Sequence, residues 1–344
     1  MIKIVLIEVG DFHDECLYSQ VLFLQRPDIE VTVFANKKLE SRINTLSAYA
    51  EIVFLDLSSK LKKYQCWFSM WKKIIFGGYS KVIFNSAESN IYKFIQFPFP
   101  KRIELIGTLH NGQHLKDKPK QKYISKKLHK YFVLNEFIQK NIVSENLTNT
   151  KIASYYPIFY PEFKVQLQKP NDEIWVTIPG VISFDKRDYE VFKYWEVPKN
   201  VKLIFLGRAN NEEALQFIER AKSYASYSQM VFFSAFIPND VFYNYMQLSD
   251  FILPLIHPTN RLFENFLKYK VTGSYNLAFG FKIPLLIEQS FLEIEDFKEN
   301  ALFYNCKDSM ALTKALGTTQ KMIYKNPKWS FEFQKKKYLA FIFS

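Results

Sequence analysis

The sequence predicts two open α/β domains, each a doubly wound parallel sheet with helices on both faces. Short apolar runs alternate with stretches of helical spacing, and the alternation lapses near residue 160 and then restarts. The runs are nearly continuous rather than every-other-residue, as in strands buried on both sides. At 344 residues the chain is long enough for two domains of ordinary size.

Ile2, Ile4, Val5, Leu6 and Ile7 form the first expected strand and Gly10 breaks it. Asp11 or Asp14 is expected to cap a helix on which Leu17, Val21 and Leu24 share a face. Further strands are expected at 30–35, 51–57, 81–85, 102–109 and 130–134. Residues 155–170, rich in proline and aromatics, read as a linker. Beyond it, strands are expected at 173–178, 201–206, 230–233, 250–255 and 283–287. Helices fit at 187–195, 211–224, 238–248, 274–281, 291–297 and 308–317. The expected domains are therefore 1–160 and 171–325, followed by a helical segment over 326–344.

A hydrophobic content of 48% with 23% charged residues is globular and excludes a disordered chain. Lys and Arg number 46 against 34 Asp and Glu, a net charge of +12 that suits anionic partners such as nucleotide phosphates or lipid headgroups. Cys16, Cys66 and Cys306 lie far apart with neither metal-ligand nor disulfide spacing. With no cleavable leader after residues 2–9, and no apolar run near the ~18 residues that span a bilayer, a cytoplasmic location is expected. No P-loop, Gly-x-Ser-x-Gly, Asp-x-Asp or nucleic-acid motif is present, so neither a metal ion nor nucleic acid is expected as a partner.

Only ten glycines occur, and Gly10, Gly112, Gly180, Gly207 and Gly273 fall at expected strand ends or helix starts. Those are the positions where doubly wound sheets bind ligands. Thr272-Gly273-Ser274 opens an expected helix, whose free N–H groups and dipole favour a diphosphate.

The stretch from Lys270 to Ile287 resembles the donor-binding signature of GT-B glycosyltransferases, of the bacterial family 4-like, polysaccharide-biosynthesis type: a Gly-Ser turn, a helix of small residues, then a proline entering an apolar strand. Leu248–Leu255 is similar to the strand before that signature, and Ile178–Asp188 to the glycine-then-lysine loop after the donor domain's first strand. The resemblance implies two Rossmann-like domains facing a central cleft. It implies metal-independent transfer from a nucleotide-diphosphate sugar to a saccharide or lipid-linked saccharide acceptor, with no other cofactor. Carried over residue by residue, Lys186 or Arg187 neutralises the diphosphate and Gly180 allows its approach. Gly207 ends the next strand and Phe236 packs near the base. One departure concerns the two glutamates that many retaining members carry around the donor helix: residues 274–280 are without acid, and Lys270 and Thr272 stand where part of that role would fall.

An inverting transferase needs a group to remove the acceptor's hydroxyl proton. Val9–Glu15 offers His13, Asp11 or Glu15. His110 resembles the strand-end histidine that faces the transferred sugar in many GT-B enzymes. The basic aromatic run 60–76 suits a helix at an anionic membrane surface. A sugar-nucleotide epimerase and a non-catalytic partner subunit are the competing readings.

Overall fold

A computed structural model of the protein describes residues 1–317 and 324–344. The chain forms two compact units, Met1–Pro161 together with Pro327–Ser344, and Glu162–Asn326.

The first unit carries seven parallel strands: β1 (Ile2–Glu8), β2 (Ile29–Asn36), β3 (Glu51–Leu55), β4 (Tyr79–Phe84), β5 (Glu104–Leu109), β6 (Lys130–Val133) and β7 (Lys151–Ser154). Their order is β3-β2-β1-β4-β5-β6-β7. The chain thus winds outward from β1, then returns to its other side at β4, and the order reverses between these two strands. Ile4, Val5 and Leu6 have no exposed surface, which is why β1 reads as an unbroken apolar run.

The first helix, Asp14–Phe23, corrects one expectation. Neither Asp11 nor Asp14 caps it; His13 holds the cap position with φ 69° and no side-chain capping bond. The carboxylates are used elsewhere, Asp14 on Arg42 at 2.9 Å and Asp11 on Lys38 at 3.3 Å. The terminal helix Phe331–Ile342 belongs to this unit. Tyr338 stacks on Phe132 at 4.5 Å and 7°, and its hydroxyl donates to Gln20 Oε1 at 2.9 Å.

The second unit carries six parallel strands: β8 (Ile174–Pro179), β9 (Val201–Arg208), β10 (Met230–Phe233), β11 (Phe251–Ile252), β12 (Leu285–Glu288) and β13 (Ala301–Tyr304). The order is β10-β9-β8-β11-β12-β13, with the reversal between β8 and β11. One face of the sheet buries Tyr189, Phe192, Phe205 and Phe217, with Phe232 stacked on Phe205 at 4.6 Å. The phenylalanine rings fill this volume without polar atoms to satisfy.

Two expectations fail in this unit. The helix expected over 187–195 is a single short turn, Glu190–Lys193. The Asp188 N–H is drawn to Leu255 O at 2.9 Å, which ties the segment to the neighbouring loop before a helix can propagate. Strand β11 is two residues long rather than six, because Pro254 has no N–H to give a ladder and Leu255 sits at φ 56°.

The turn after β8 meets the carboxyl end of β9 backbone to backbone. Gly180 has φ +103°, and a Cβ on Gly207 would lie 2.3 Å from Gly180 O. Gly207→Ala is therefore expected to destabilise the fold by roughly 2–4 kcal/mol, since the obstruction is main chain and cannot swing aside. Gly273→Ala, whose Cβ meets open space, is the control and is expected to change stability by less than about 1 kcal/mol. Equal melting temperatures for Gly207→Ala and the unsubstituted protein would refute the close approach.

Candidate functional site

In the first unit, polar groups gather at the carboxyl ends of β1, β4 and β5, beside the reversal of strand order where such sheets bind ligands. Glu8 ends β1 with no exposed surface. Its Oε1 accepts from Gly10 N at 2.7 Å, and its Oε2 accepts from Asn85 Nδ2 at 2.6 Å and Ser86 Oγ at 2.5 Å. Burial raises the Glu8 pKa against the pull of these three donors. Asn85 is shared: its Nδ2 also donates to His13 O at 2.9 Å, and its own carbonyl accepts from His110 Nε2 at 2.7 Å. Gln20 Nε2 donates to Asn85 Oδ1 at 2.5 Å and is itself held by Tyr338.

These bonds bring His13 and His110 face to face. Their ring centroids are 3.7 Å apart with 20° between planes. Because the Asn85 carbonyl only accepts, His110 Nε2 carries the proton and Nδ1 presents a lone pair. That Nδ1 is buried and has no partner among the described residues. Burial, and then the stacked His13 ring, push the His110 pKa down to about 4, so this ring is neutral at neutral pH. Burial also opposes a charge on His13, but the nearby carboxylates of Glu15, Glu8 and Glu88 outweigh it and the His13 pKa is raised. Glu15 Oε1 lies 3.4 Å from His13 Nδ1. Burial of Glu15 is outweighed in turn by the His13 bond and charge, so its pKa is lowered. Glu88 is held at about 2: burial works against it, but the His114 bond at 3.2 Å and the charges on His114, His110 and His13 prevail.

The result is a pair of imidazoles with separated roles, an arrangement that marks acid–base sites. His13 is oriented by a carboxylate at Nδ1, which leaves Nε2 for proton transfer. His110 is a neutral acceptor. Asp11, the third candidate of the run, faces Lys38 and makes no bond to either ring among the described residues.

In the second unit, Gly180, Gly207, Arg187 and Ser274 converge beside the β8–β11 reversal. Arg187 is buried under the loop, donating to Pro179 O and, at 3.1 Å, to Val181 O, with Nη2 3.5 Å from Ser274 Oγ. Thr272 caps the helix Gly273–Phe281 by accepting from Ser274 N at 3.4 Å. Lys186 is exposed and makes no ion pair among the described residues. Phe236 is exposed on the loop after β10, and Lys270 lies over the Phe266 ring at 5.5 Å. No bond ties the Lys186 or Phe236 side chain to the Arg187–Ser274 group among the described residues.

Sequence reasoning missed several members. In the first unit these are Glu8, Asn85, Ser86, Glu88 and His114; in the second, Asp188, His257 and Tyr304. His257, fully buried, reaches Asp188 Oδ2 at 3.1 Å through Nδ1 and the Tyr304 hydroxyl at 2.8 Å through Nε2. A lone carboxylate closing an otherwise apolar strand was the available sign for Glu8. Nothing in the spacing marked the others.

No protein-family model matches the sequence, and no curated protein does. Solved structures do. A putative UDP-N-acetylglucosamine 2-epimerase from Listeria monocytogenes superposes with TM-score 0.67 at 12% identity, over 100% of this chain and 96% of that one. Anabaena HepE in complex with UDP-glucose gives 0.63 at 12% identity, over 99% and 94%. A glycosyltransferase from Rickettsia africae gives 0.63 at 10% identity, over 99% and 97%. At such identities the likeness establishes the fold, two α/β units of the GT-B kind, which transferases and epimerases share.

The depressed His110 pKa has a measurable consequence. Between pH 6.5 and about 4 the unfolded chain binds a proton at this histidine that the folded chain refuses, so His110 makes the fold less stable as pH falls through that window. The loss reaches on the order of 3 kcal/mol at pH 4. His110→Gln is expected to remove that part of the acid dependence in urea unfolding followed from pH 7 to pH 4. Parallel curves for the two proteins would show that the ring is not held neutral.

Proposed function

We propose that this protein transfers a glycosyl group from a nucleotide-diphosphate sugar to a saccharide or lipid-linked saccharide acceptor in surface glycan biosynthesis, without a metal ion. The observation that carries the reading is the stacked His13–His110 pair, with its opposed pKa shifts, at the strand-order reversal of the first unit. In this reading His13, oriented by Glu15, removes the proton of the acceptor hydroxyl. His110 Nδ1 accepts a hydrogen bond from a sugar hydroxyl. The second unit takes the diphosphate at the start of the helix Gly273–Phe281, where the dipole, Ser274 and the Arg187–Lys186 pair stabilise the leaving charge. A nucleotide donor is supported by HepE, solved with UDP and with UDP-glucose on the same fold.

A second reading has its own support. The fold is shared with UDP-N-acetylglucosamine 2-epimerases, and Glu8, which with Asp14 has a raised pKa among the carboxylates beside the histidines, is placed for proton removal from a sugar carbon. The two readings part when the protein meets a donor with no acceptor: an epimerase alters the sugar and a transferase leaves it intact.

A panel of nucleotide sugars tests the proposal by thermal shift and by turnover. At least one donor is expected to raise the melting temperature. Lys186→Ala is expected to weaken that donor about tenfold, the worth of one charged contact. His13→Gln is expected to leave donor binding unchanged and to lower kcat by about 10²–10⁴. In the unsubstituted protein the rate is expected to rise with pH through the elevated His13 pKa, as the ring loses its proton and becomes a base. No stabilisation by any donor sinks the enzymatic reading and favours a non-catalytic subunit.

A further inference from the structure

The positive charge of this chain is not spread over it. Segments 60–76, 89–103 and 118–130 hold fourteen of its 46 Lys and Arg and none of its 34 Asp and Glu; the rest, with 32 basic and 34 acidic residues, is net −2. The whole excess thus lies in three pieces of the first unit.

The fold joins those pieces. The helix Lys60–Phe76 buries Trp67, Met70 and Ile74 on its inner face. Leu61, Tyr64, Phe68, Trp71 and Ile75 form a second apolar stripe flanking that face, at helical spacing. Leu61 and Phe68 on the stripe, and Phe76 at the helix end, are 69%, 49% and 78% exposed. Trp71 continues the stripe onto the second segment: its Nε1 donates to Pro98 O at 2.8 Å, and its ring lies 5.8 Å from Phe97. Arg102 donates to Ile75 O at 2.5 Å. The second segment then meets the third around a cavity of about 370 Å³ at the amino ends of β5 and β6. Phe97, Phe99, Pro100 and Ile103 line it, and Lys101, Lys126 and Lys127 stand at it. Tyr92 of the second segment packs on Tyr123 of the third.

Of the fourteen cations, Lys62, Lys73 and Lys130 are spent on Asp56, Glu51 and Glu104. The other eleven have no carboxylate partner among the described residues. Folding has placed unneutralised cations around exposed apolar side chains, a pairing that costs solubility unless something covers it.

The geometry points to an anionic lipid bilayer surface as the occupant: Leu61, Phe68 and Phe76 enter the acyl boundary while Lys72, Lys101, Arg102, Lys126 and Lys127 meet phosphates. The apolar stripe distinguishes this partner from a nucleic acid, which needs the cations but has no use for exposed leucine. No helix among the described residues is long and apolar enough to cross a membrane, so contact is by lying on the surface. The surface occupies the flank and the amino-end edge of the sheet. The histidine pair sits at the carboxyl ends, so docking and chemistry use separate parts of one unit.

The test is sedimentation of the full chain with phosphatidylcholine vesicles, with and without phosphatidylglycerol. Binding is expected only with the anionic lipid and is expected to weaken with salt. The triple variant Lys101→Ser, Lys126→Ser, Lys127→Ser is expected to bind roughly 100-fold more weakly, at about 1 kcal/mol per lysine. Phe68→Ser with Phe76→Ser is expected to weaken binding even in high salt, where charge is screened. Donor-induced thermal shifts are expected to be unchanged in both variants, so this inference and the functional reading fail separately. Equal binding to both vesicle types, no binding to either, unaltered binding by the triple variant, or preferential binding of single-stranded RNA over vesicles would each overturn it.

Discussion

The first unit is organised around one buried carboxylate. A charge without access to water is expensive unless its lone pairs are filled, and Glu8 fills its own from three places: Gly10 just beyond β1, and Asn85 and Ser86 just beyond β4. Meeting that demand folds the Gly10–His13 loop back over the strand end and fixes Asn85. Asn85 in turn holds the carbonyl of one histidine and the ring nitrogen of the other. The stacking of His13 on His110 and the tautomer of His110 follow from where Asn85 is held, while the opposed titration comes from burial of one ring and the carboxylates around the other.

The second unit solves its problem without a buried carboxylate at that place. The turn at Gly180 closes on the strand end at Gly207, and a guanidinium beneath them ties off the carbonyls of Pro179 and Val181. The strand ends of the two units consequently differ in sign. Glu8, Asp14, Glu15 and Glu88 crowd the first, while Arg187, Lys186 and the open start of a helix mark the second. In the function proposed above, the first moves protons and the second holds phosphate.

The sheets were legible because strands buried on both faces leave unbroken apolar runs, and β1 and β9 lie where those runs lie. β7, Lys151–Ser154, was not legible: four residues with a lysine and a serine at its ends carry no such run. The segment after Arg187 has helical spacing, yet its backbone is claimed by Leu255, a partner 67 positions away that no local pattern announces. The site divides in the same way. His13, Glu15 and His110 stood out individually through chemistry and strand-end position. That two of them stack, and that Asn85 joins them, depends on β4 lying against β1, a fact of topology. Asp188 and His257 are 69 residues apart and meet only because β8 and β11 are neighbours.

The helix Phe331–Ile342 has a bearing on how the molecule is made. The first unit is discontinuous: its sheet comes from the first 161 residues, while the ring stacked on Phe132 and the hydroxyl that steadies Gln20 come from Tyr338. A ribosome therefore releases the entire second unit, which is contiguous, before supplying the piece that completes the first. During that interval Phe132, Tyr155 and Phe23, the aromatic seat of Tyr338, stay uncovered. Until the helix Phe331–Ile342 arrives, this aromatic seat is apolar surface of the kind that exposes a nascent chain to aggregation.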